Sequence, residues 1–242
     1  QNAMCKGLSH LLAFERNSRV ASMFLLIKDV LTPAEVAEVR QLAGRMKFID
    51  GRASNPHNIA KSNLQADLNT PESQRASQIA GAAIARNEQF SNFAFPKRIA
   101  APLLSRYEPG MKYGVHADSA YLPLPNGPLR SDVSLTLFVG DPASYEGGEL
   151  VAHFTSEKIV IKGEPGSMIV YPSTTLHEVN PVTRGERLCF FSFIESVIPD
   201  QTKRDLLYQL NEVYALEGLK MDWENRVRLQ HVSGNLHRMW SK

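Results

Sequence analysis

His116-Ala117-Asp118 stands just after a strand-like segment. On an extended chain, residues two apart share a face, so both side chains can reach one metal ion. A third ligand must come from elsewhere, and His177 is the best candidate, because it follows the apolar run Ser167 to Tyr171 and a short turn. Two imidazoles and one carboxylate on one face of a metal, with the opposite positions open, form the facial set that suits redox-active iron. The open positions are the chemical point, since a bidentate co-substrate and O2 must bind together.

His-x-Asp alone is a common pattern, and a later histidine adds little to it. Arg187, ten positions beyond His177, is more telling, because it alternates with Cys189, Phe191 and Phe193 on one face of the next strand. If that face turns inward, a buried guanidinium requires an anionic partner. A bidentate carboxylate suits its fork geometry, and the terminal carboxylate of 2-oxoglutarate answers that need.

The elements that must position these residues are legible in outline. After the strand-like Phe24 to Lys28, Thr32-Pro33-Ala34-Glu35 reads as an N-cap with Pro at the first helical position and Glu three residues on. Val36, Val39, Leu42, Ala43 and Met46 then predict a helix to about Lys47. Residues 50 to 58 read as an exposed loop, and Thr70-Pro71-Glu72 starts a second helix with Ile79, Ala80, Ala83 and Ile84 on one face. Two early helices are expected.

From about Ile99 to Ser196, short β-branched and aromatic runs alternate with turn signals: Leu103 to Tyr107, Val133 to Val139, Glu149 to Phe154, Lys158 to Ile161, Ser167 to Tyr171 and Leu188 to Ile194. Many short strands with regular turns indicate a sandwich or barrel. The tail returns to helix, with Asp200 as a cap and Leu206, Leu207, Leu210, Val213 and Tyr214 on a core face. A less periodic segment runs from Asp222 to Trp240.

In order, Tyr107-Glu108-Pro109-Gly110, Tyr113, His116-x-Asp118, Tyr145-Glu146-Gly147-Gly148-Glu149-Leu150, His177-Glu178-Val179 and Arg187 resemble the pattern of prolyl-4-hydroxylase-like Fe(II)/2-oxoglutarate dioxygenases. The closer resemblance is to the bacterial PKHD-type hydroxylases, often found beside iron-uptake genes. Met23 to Arg40 and Asn235-Leu236-His237-Arg238-Met239-Trp240 look like that subgroup too, so the resemblance covers about residues 23 to 242.

It implies an α+β, mainly β chain. A double-stranded β-helix (jelly roll) core over 99–196 would be flanked by a helical support region over 23–98 and a C-terminal helical region over 197–242. His116, Asp118 and His177 would hold iron as the catalytic centre, Arg187 would hold 2-oxoglutarate, and Tyr107 and Tyr113 would help to do so. Ascorbate would keep the iron ferrous. The implied reaction hydroxylates a small molecule or peptide with O2 and releases succinate and CO2. Asp118 argues against a halogenase, which needs a non-ligating residue there.

Ser119 to Ser131 follows Asp118 directly and is rich in Pro and Gly, so it reads as a mobile lid that excludes water. Tyr121 within it and Arg130 at its border are the candidates for contacting substrate. A peptidyl proline, an amino acid derivative and a siderophore component all remain open as substrates.

Other features read as ordinary structure. His10, His57, His153, His231 and His237 lack metal spacing, and Pro181 removes a His-Glu-x-x-His zinc motif at His177. Glu146-Gly147-Gly148-Glu149 predicts a tight turn with glycines at positive φ, and Gly163 to Ser167 another turn. Cys189 reads as a small core residue, with the lining of a pocket as the alternative. Arg184, Arg226, Arg228 and Arg238 read as a solvated face, the last three alternatively as a subunit contact through the C-terminal helices. A cupin with another oxidant lacks a use for Arg187, and a non-catalytic β-barrel binding module for metal or an iron chelate has no need of open metal positions.

Composition excludes several classes. Lys+Arg 27 against Asp+Glu 25 leaves a formal net charge of +2, too little for a polybasic nucleic-acid binder. Cys5 and Cys189 show no Cys-x-x-Cys spacing and could form one bridge at most, which points to a reducing cytoplasmic setting. No apolar run approaches the ~20 residues of a membrane span. Gln1-Asn2-Ala3 reads as a tag remnant. Residues 4 to 22 read as an N-terminal extension and a poor signal peptide, with Leu8, Leu11, Leu12 and Phe14 on one side of a short helix.

Overall fold

The computed structural model describes residues 23–54, 58–154 and 158–242. The extension at 4–22, with Cys5 and His10, and also His57, lie outside the described residues.

β1 (Leu25–Ile27) leads to Thr32, which exchanges hydrogen bonds with Glu35 and closes a capping box on α1 (Pro33–Ala43). The helix stops at Gly44, short of Lys47, because glycine is a poor helix residue and the chain must turn into β2 (Phe48–Asp50). A 3₁₀ turn at Gly51–Ser54 begins the expected loop. β3 (Lys61–Ser62) and β4 (Leu64–Ala66) precede α2 (Pro71–Ala85), which Thr70 caps.

A third early helix, α3 (Glu88–Ala94), corrects the expectation of two. Asn87 caps it by accepting from the Phe90 N–H at 2.9 Å, and Phe95 at φ 46° ends it before any periodicity can develop.

The barrel strands follow: β5 (Pro96–Ile99), β6 (Leu103–Tyr107), β7 (Lys112–His116), β8 (Tyr121–Leu122), β9 (Leu129–Arg130) and β10 (Val133–Phe138). After them come β11 (Glu146–Gly147), β12 (Leu150–His153), β13 (Lys158–Ile161) and β14 (Met168–Pro172). β15 (Leu176–Val179), β16 (Val182–Arg184) and β17 (Arg187–Ser196) complete the set. Two helices end the chain, α4 (Gln201–Glu217), capped by Asp200, and α5 (Trp223–Trp240).

Two antiparallel sheets face one another as a jelly roll. The larger runs β1-β14-β10-β17-β6-β4-β2, with β5 also on β17, and the smaller runs β13-β12-β15-β7-β3. Strands β1 to β4 belong to these sheets, so residues 23–98 build barrel as well as helical support. Val36, Val39, Ala80 and Ala83 of α1 and α2 pack in one core with Leu104, Leu135 and Phe190 of the larger sheet. Between the sheets, Phe138, Leu150, Ile169, Val179 and Val182 close one end of the barrel. The other end stays open as a cavity.

The turn before β12 has Gly147 at φ 73° and Gly148 at φ 67°, as the sequence predicts. A Cβ on Gly147 would meet the Pro181 carbonyl oxygen at 2.0 Å, so only glycine fits. Among the described residues no helix is long and apolar enough to cross a membrane.

Candidate active site

β7 and β15 are neighbours, and their register sets His116 directly opposite His177, with ring centroids 4.3 Å apart. Asp118 lies just past the end of β7. Its Oδ1 is 3.9 Å from His116 Nε2 and 3.8 Å from His177 Nε2. Among the described residues this is the one such cluster, with one donor atom from each side chain all within 4.8 Å of one another.

The second nitrogen of each ring explains the orientation. His116 Nδ1 is 2.8 Å from the Gly114 carbonyl oxygen, and His177 Nδ1 is 2.9 Å from that of Thr175. A carbonyl only accepts, so these contacts assign the proton to Nδ1 and leave each Nε2 lone pair facing Asp118. On the other side, the Ser134 hydroxyl donates to Asp118 Oδ2 at 2.6 Å and lies 2.7 Å from the Ser173 hydroxyl.

Burial lifts the Asp118 carboxyl above its ordinary range, against the opposing pull of His177 and Ser134. Burial, followed by the neighbouring His177, pushes His116 down to about 4. The Asp118 carboxyl is thus buried beside an imidazole, His116, whose charged form burial disfavours. This donor set fits a divalent transition metal, whose charge would return the carboxylate to its ionised form.

Arg187 opens β17 opposite Tyr107 and is only 2% exposed. Its guanidinium sits 5.1 Å over the Tyr107 ring, and Nη1 donates to Cys189 Sγ at 2.8 Å. Nε is buried without a hydrogen-bond partner. The groups acting on its charge are Cys189, Tyr107 and Tyr145, none of them a carboxylate. An entering carboxylate would supply the missing partner, so the residues present fit a 2-oxo diacid.

One cavity of about 260 Å³ joins His116, Asp118, His177, Arg187, Tyr107 and Tyr113. Tyr113 stacks on His116 at 3.6 Å and 14°, and its hydroxyl accepts from Asn58 Nδ2 at 3.2 Å. Cys189, Phe191 and Phe193 line the same cavity, so the face that begins with Arg187 does turn inward.

The two substrate candidates from the lid lie elsewhere. Tyr121 is 61% exposed on β8, and Arg130 pairs with Asp132 at 2.8 Å and donates to the Ser196 carbonyl, so neither lines the cavity. Ser119, Leu122 and Leu124 of that segment do line it. Sequence reasoning missed Ser134, Tyr171 and Lys61. The polar alternation Ser134, Thr136 inside an apolar strand was the available signal for the first. Lys61, on a two-residue strand, offered none.

Residues 102–195 match the 2OG-Fe(II) oxygenase superfamily. A PKHD-type hydroxylase of Sphingopyxis alaskensis is 50% identical across 91% of this chain and 100% of its own length. One of Janthinobacterium is 39% identical across 90% and 99%. Among solved structures, a Pseudomonas putida prolyl-4-hydroxylase is similar at TM-score 0.52 and 17% identity, over 72% of this chain and 92% of that one. A Trichoplax adhaerens prolyl hydroxylase, solved with a hypoxia inducible factor peptide, matches at 0.53 and 18%, over 77% and 87%. These two likenesses establish the fold alone. With the relatives covering nearly the whole chain, this protein belongs to the PKHD-type hydroxylases of the 2OG-Fe(II) oxygenase superfamily and is a 2-oxoglutarate-dependent dioxygenase.

Proposed function

We propose that the chain binds Fe(II) through His116 Nε2, Asp118 and His177 Nε2, grips 2-oxoglutarate with Arg187, and hydroxylates a small molecule or peptide. The observation that carries this reading is the partnerless, fully buried Arg187 Nε in the same cavity as the His–Asp–His cluster. Bound iron supplies the oxidation, in which O2 gives one atom to the substrate and one to succinate as 2-oxoglutarate loses CO2.

The chain's own residues do the rest. Gly114 and Thr175 fix the tautomers, and Ser134 orients Asp118. Arg187 forks onto the distal carboxylate, with the Tyr107 ring beneath it. Tyr113 holds the orientation of the His116 ring by stacking on it and lines the cavity that would take the co-substrate. Leu122 and Leu124, from the lid at 119–131, exclude water from the open end.

The remaining parts of the reading rest on the resemblance and on composition. Ascorbate is the reductant that keeps the iron ferrous, and the substrate belongs to iron uptake, with a siderophore component as one candidate. The setting is cytoplasmic, without nucleic-acid or membrane partners. A homo-oligomer through α4 and α5 fits the exposure of Leu206, Val213, Leu216 and Trp223.

The test is O2-dependent conversion of 2-oxoglutarate to succinate by Fe(II)-loaded protein, followed by mass spectrometry. Wild type forms succinate, and His116→Ala and Arg187→Met form none; succinate from both variants contradicts the reading. A screen of candidate acceptors for one added oxygen atom then identifies the substrate.

A further inference from the structure

Lys61 is a charge in the cavity that the chemistry above does not use. It is 6% exposed, lies opposite Tyr113 in the β3–β7 pair and reaches between the two sheets. Its ammonium is 5.4 Å from the Tyr113 ring centroid and 5.7 Å from that of Phe191. An ammonium has three hydrogens to donate. One goes to Ser54 Oγ at 2.7 Å, and no carboxylate lies within ion-pair distance among the described residues. Burial pushes it down to about 8, with Asp118 and Asp50 acting the other way.

Charge counting shows what this cation is for. Fe(II), the Asp118 carboxylate, doubly ionised 2-oxoglutarate and the Arg187 guanidinium sum to zero. Lys61 then leaves one positive charge on a buried side chain, where an unbalanced ion is costly. The two cations stand in different surroundings: the Arg187 guanidinium lies over the Tyr107 ring and donates to Cys189 Sγ, whereas the Lys61 ammonium lies near the Tyr113 and Phe191 rings. The co-substrate's distal carboxylate is the partner of the first, which leaves the second for another anion. Beyond its polar residues, the wall of the cavity that holds Lys61 includes an apolar set: Leu68, Ala100, Leu103, Leu122, Leu124 and Phe193.

From this we infer that the substrate is an organic acid with an apolar body, and that Lys61 is the specificity-determining residue that receives its anionic group. The inference rests on the function proposed above and narrows its substrate to that class. Lys61 pairs with the acid after the co-substrate is seated, so it selects substrate and leaves 2-oxoglutarate affinity to Arg187.

Calorimetry on protein loaded with redox-inert Zn(II) and saturating 2-oxoglutarate provides the test. The probes are hexanoate and hexanamide, which share a body and differ in charge. Hexanoate should bind at least tenfold more tightly than hexanamide. Lys61→Met, which keeps the length of the stem, should bring the ratio near one without changing 2-oxoglutarate affinity. Lys61→Arg should retain most of the preference. Equal binding of the two probes to wild type overturns the inference, undetectable binding of both included. So does a preference that survives in Lys61→Met, or a variant whose main defect is weaker 2-oxoglutarate binding. If 2-oxoglutarate does not bind the Zn(II)-loaded wild type, the reading of the site itself fails; if it binds and hexanoate shows no preference, this inference fails alone.

Discussion

Replacing Arg187 by Met should separate binding from stability in an unusual way. In the ligand-free protein this guanidinium is 2% exposed, has no carboxylate neighbour and leaves Nε without a partner. Exchanging such a buried cation for an apolar side chain is commonly neutral or stabilising. The ligand-free variant should therefore melt no lower than wild type, although most buried substitutions lower Tm. Binding should behave oppositely. Truncating one partner of a buried charge pair costs about 2–5 kcal/mol, which weakens Kd for 2-oxoglutarate about 30-fold to several thousand-fold. At a ligand concentration of about 100 times the wild-type Kd, wild type gains about 2.7 kcal/mol. For a chain of this size that is a Tm rise of roughly 5–11 °C. Under the same conditions the variant gains about 0.9 kcal/mol at most, a rise of no more than about 3.5 °C. Differential scanning fluorimetry of Zn(II)-loaded protein, with and without 2-oxoglutarate, reads both quantities. A variant that keeps the wild-type ligand shift refutes the assignment of Arg187. One that melts well below wild type without ligand refutes the claim that its charge is unpaired there.

Three further outcomes follow from named contacts. Ser134→Ala removes the 2.6 Å hydrogen bond to Asp118 and should weaken metal affinity about 10- to 100-fold, measured by Co(II) titration, with little change in Tm. Gly148 sits at φ 67° with Arg187 Cδ 3.0 Å from where a Cβ would lie, so Gly148→Ala should cost about 1–3 kcal/mol and raise KM for 2-oxoglutarate. Glu35, drawn down to about 2 chiefly by the Arg86 hydrogen bond, contributes stability that is present above the ordinary glutamate range and lost as pH falls toward 2. Glu35→Gln should therefore cost about 1 kcal/mol at pH 7, as expected for a largely solvated pair within a cap. Urea melts should show that deficit shrinking between about pH 4.5 and pH 2.

The site was more legible than the architecture around it. His116, Asp118, His177 and Arg187 could be singled out because the chemistry needs those side-chain types at strand spacing, and the alternation from Arg187 to Phe193 is local. The pairing that brings His116 opposite His177 is a long-range register, which no short window of sequence contains. Strands β2 to β4 have two or three residues each, too few to alternate, so between the strand-like Phe24 to Lys28 and Ile99 the sequence shows helices and a loop but none of these strands. α5 has no buried residue, which is why its sequence lacks a clear apolar stripe. The lid shows how closeness in sequence misleads. Tyr121 is near Asp118 in the chain, but its neighbour Leu122 faces the cavity, and adjacent residues of a strand face opposite ways. Arg130, on the partner strand β9, is already committed to Asp132.

The central claim is that one cavity holds Fe(II) on His116, Asp118 and His177 and 2-oxoglutarate on Arg187. Anaerobic addition of Fe(II) and 2-oxoglutarate to the purified protein tests it most directly, read as the weak visible charge-transfer band of the bidentate 2-oxo acid on ferrous iron. The account requires the band in wild type and its loss in both His116→Ala and Arg187→Ala at the same ligand concentrations. No band in wild type, or a band of wild-type intensity in both variants, contradicts it.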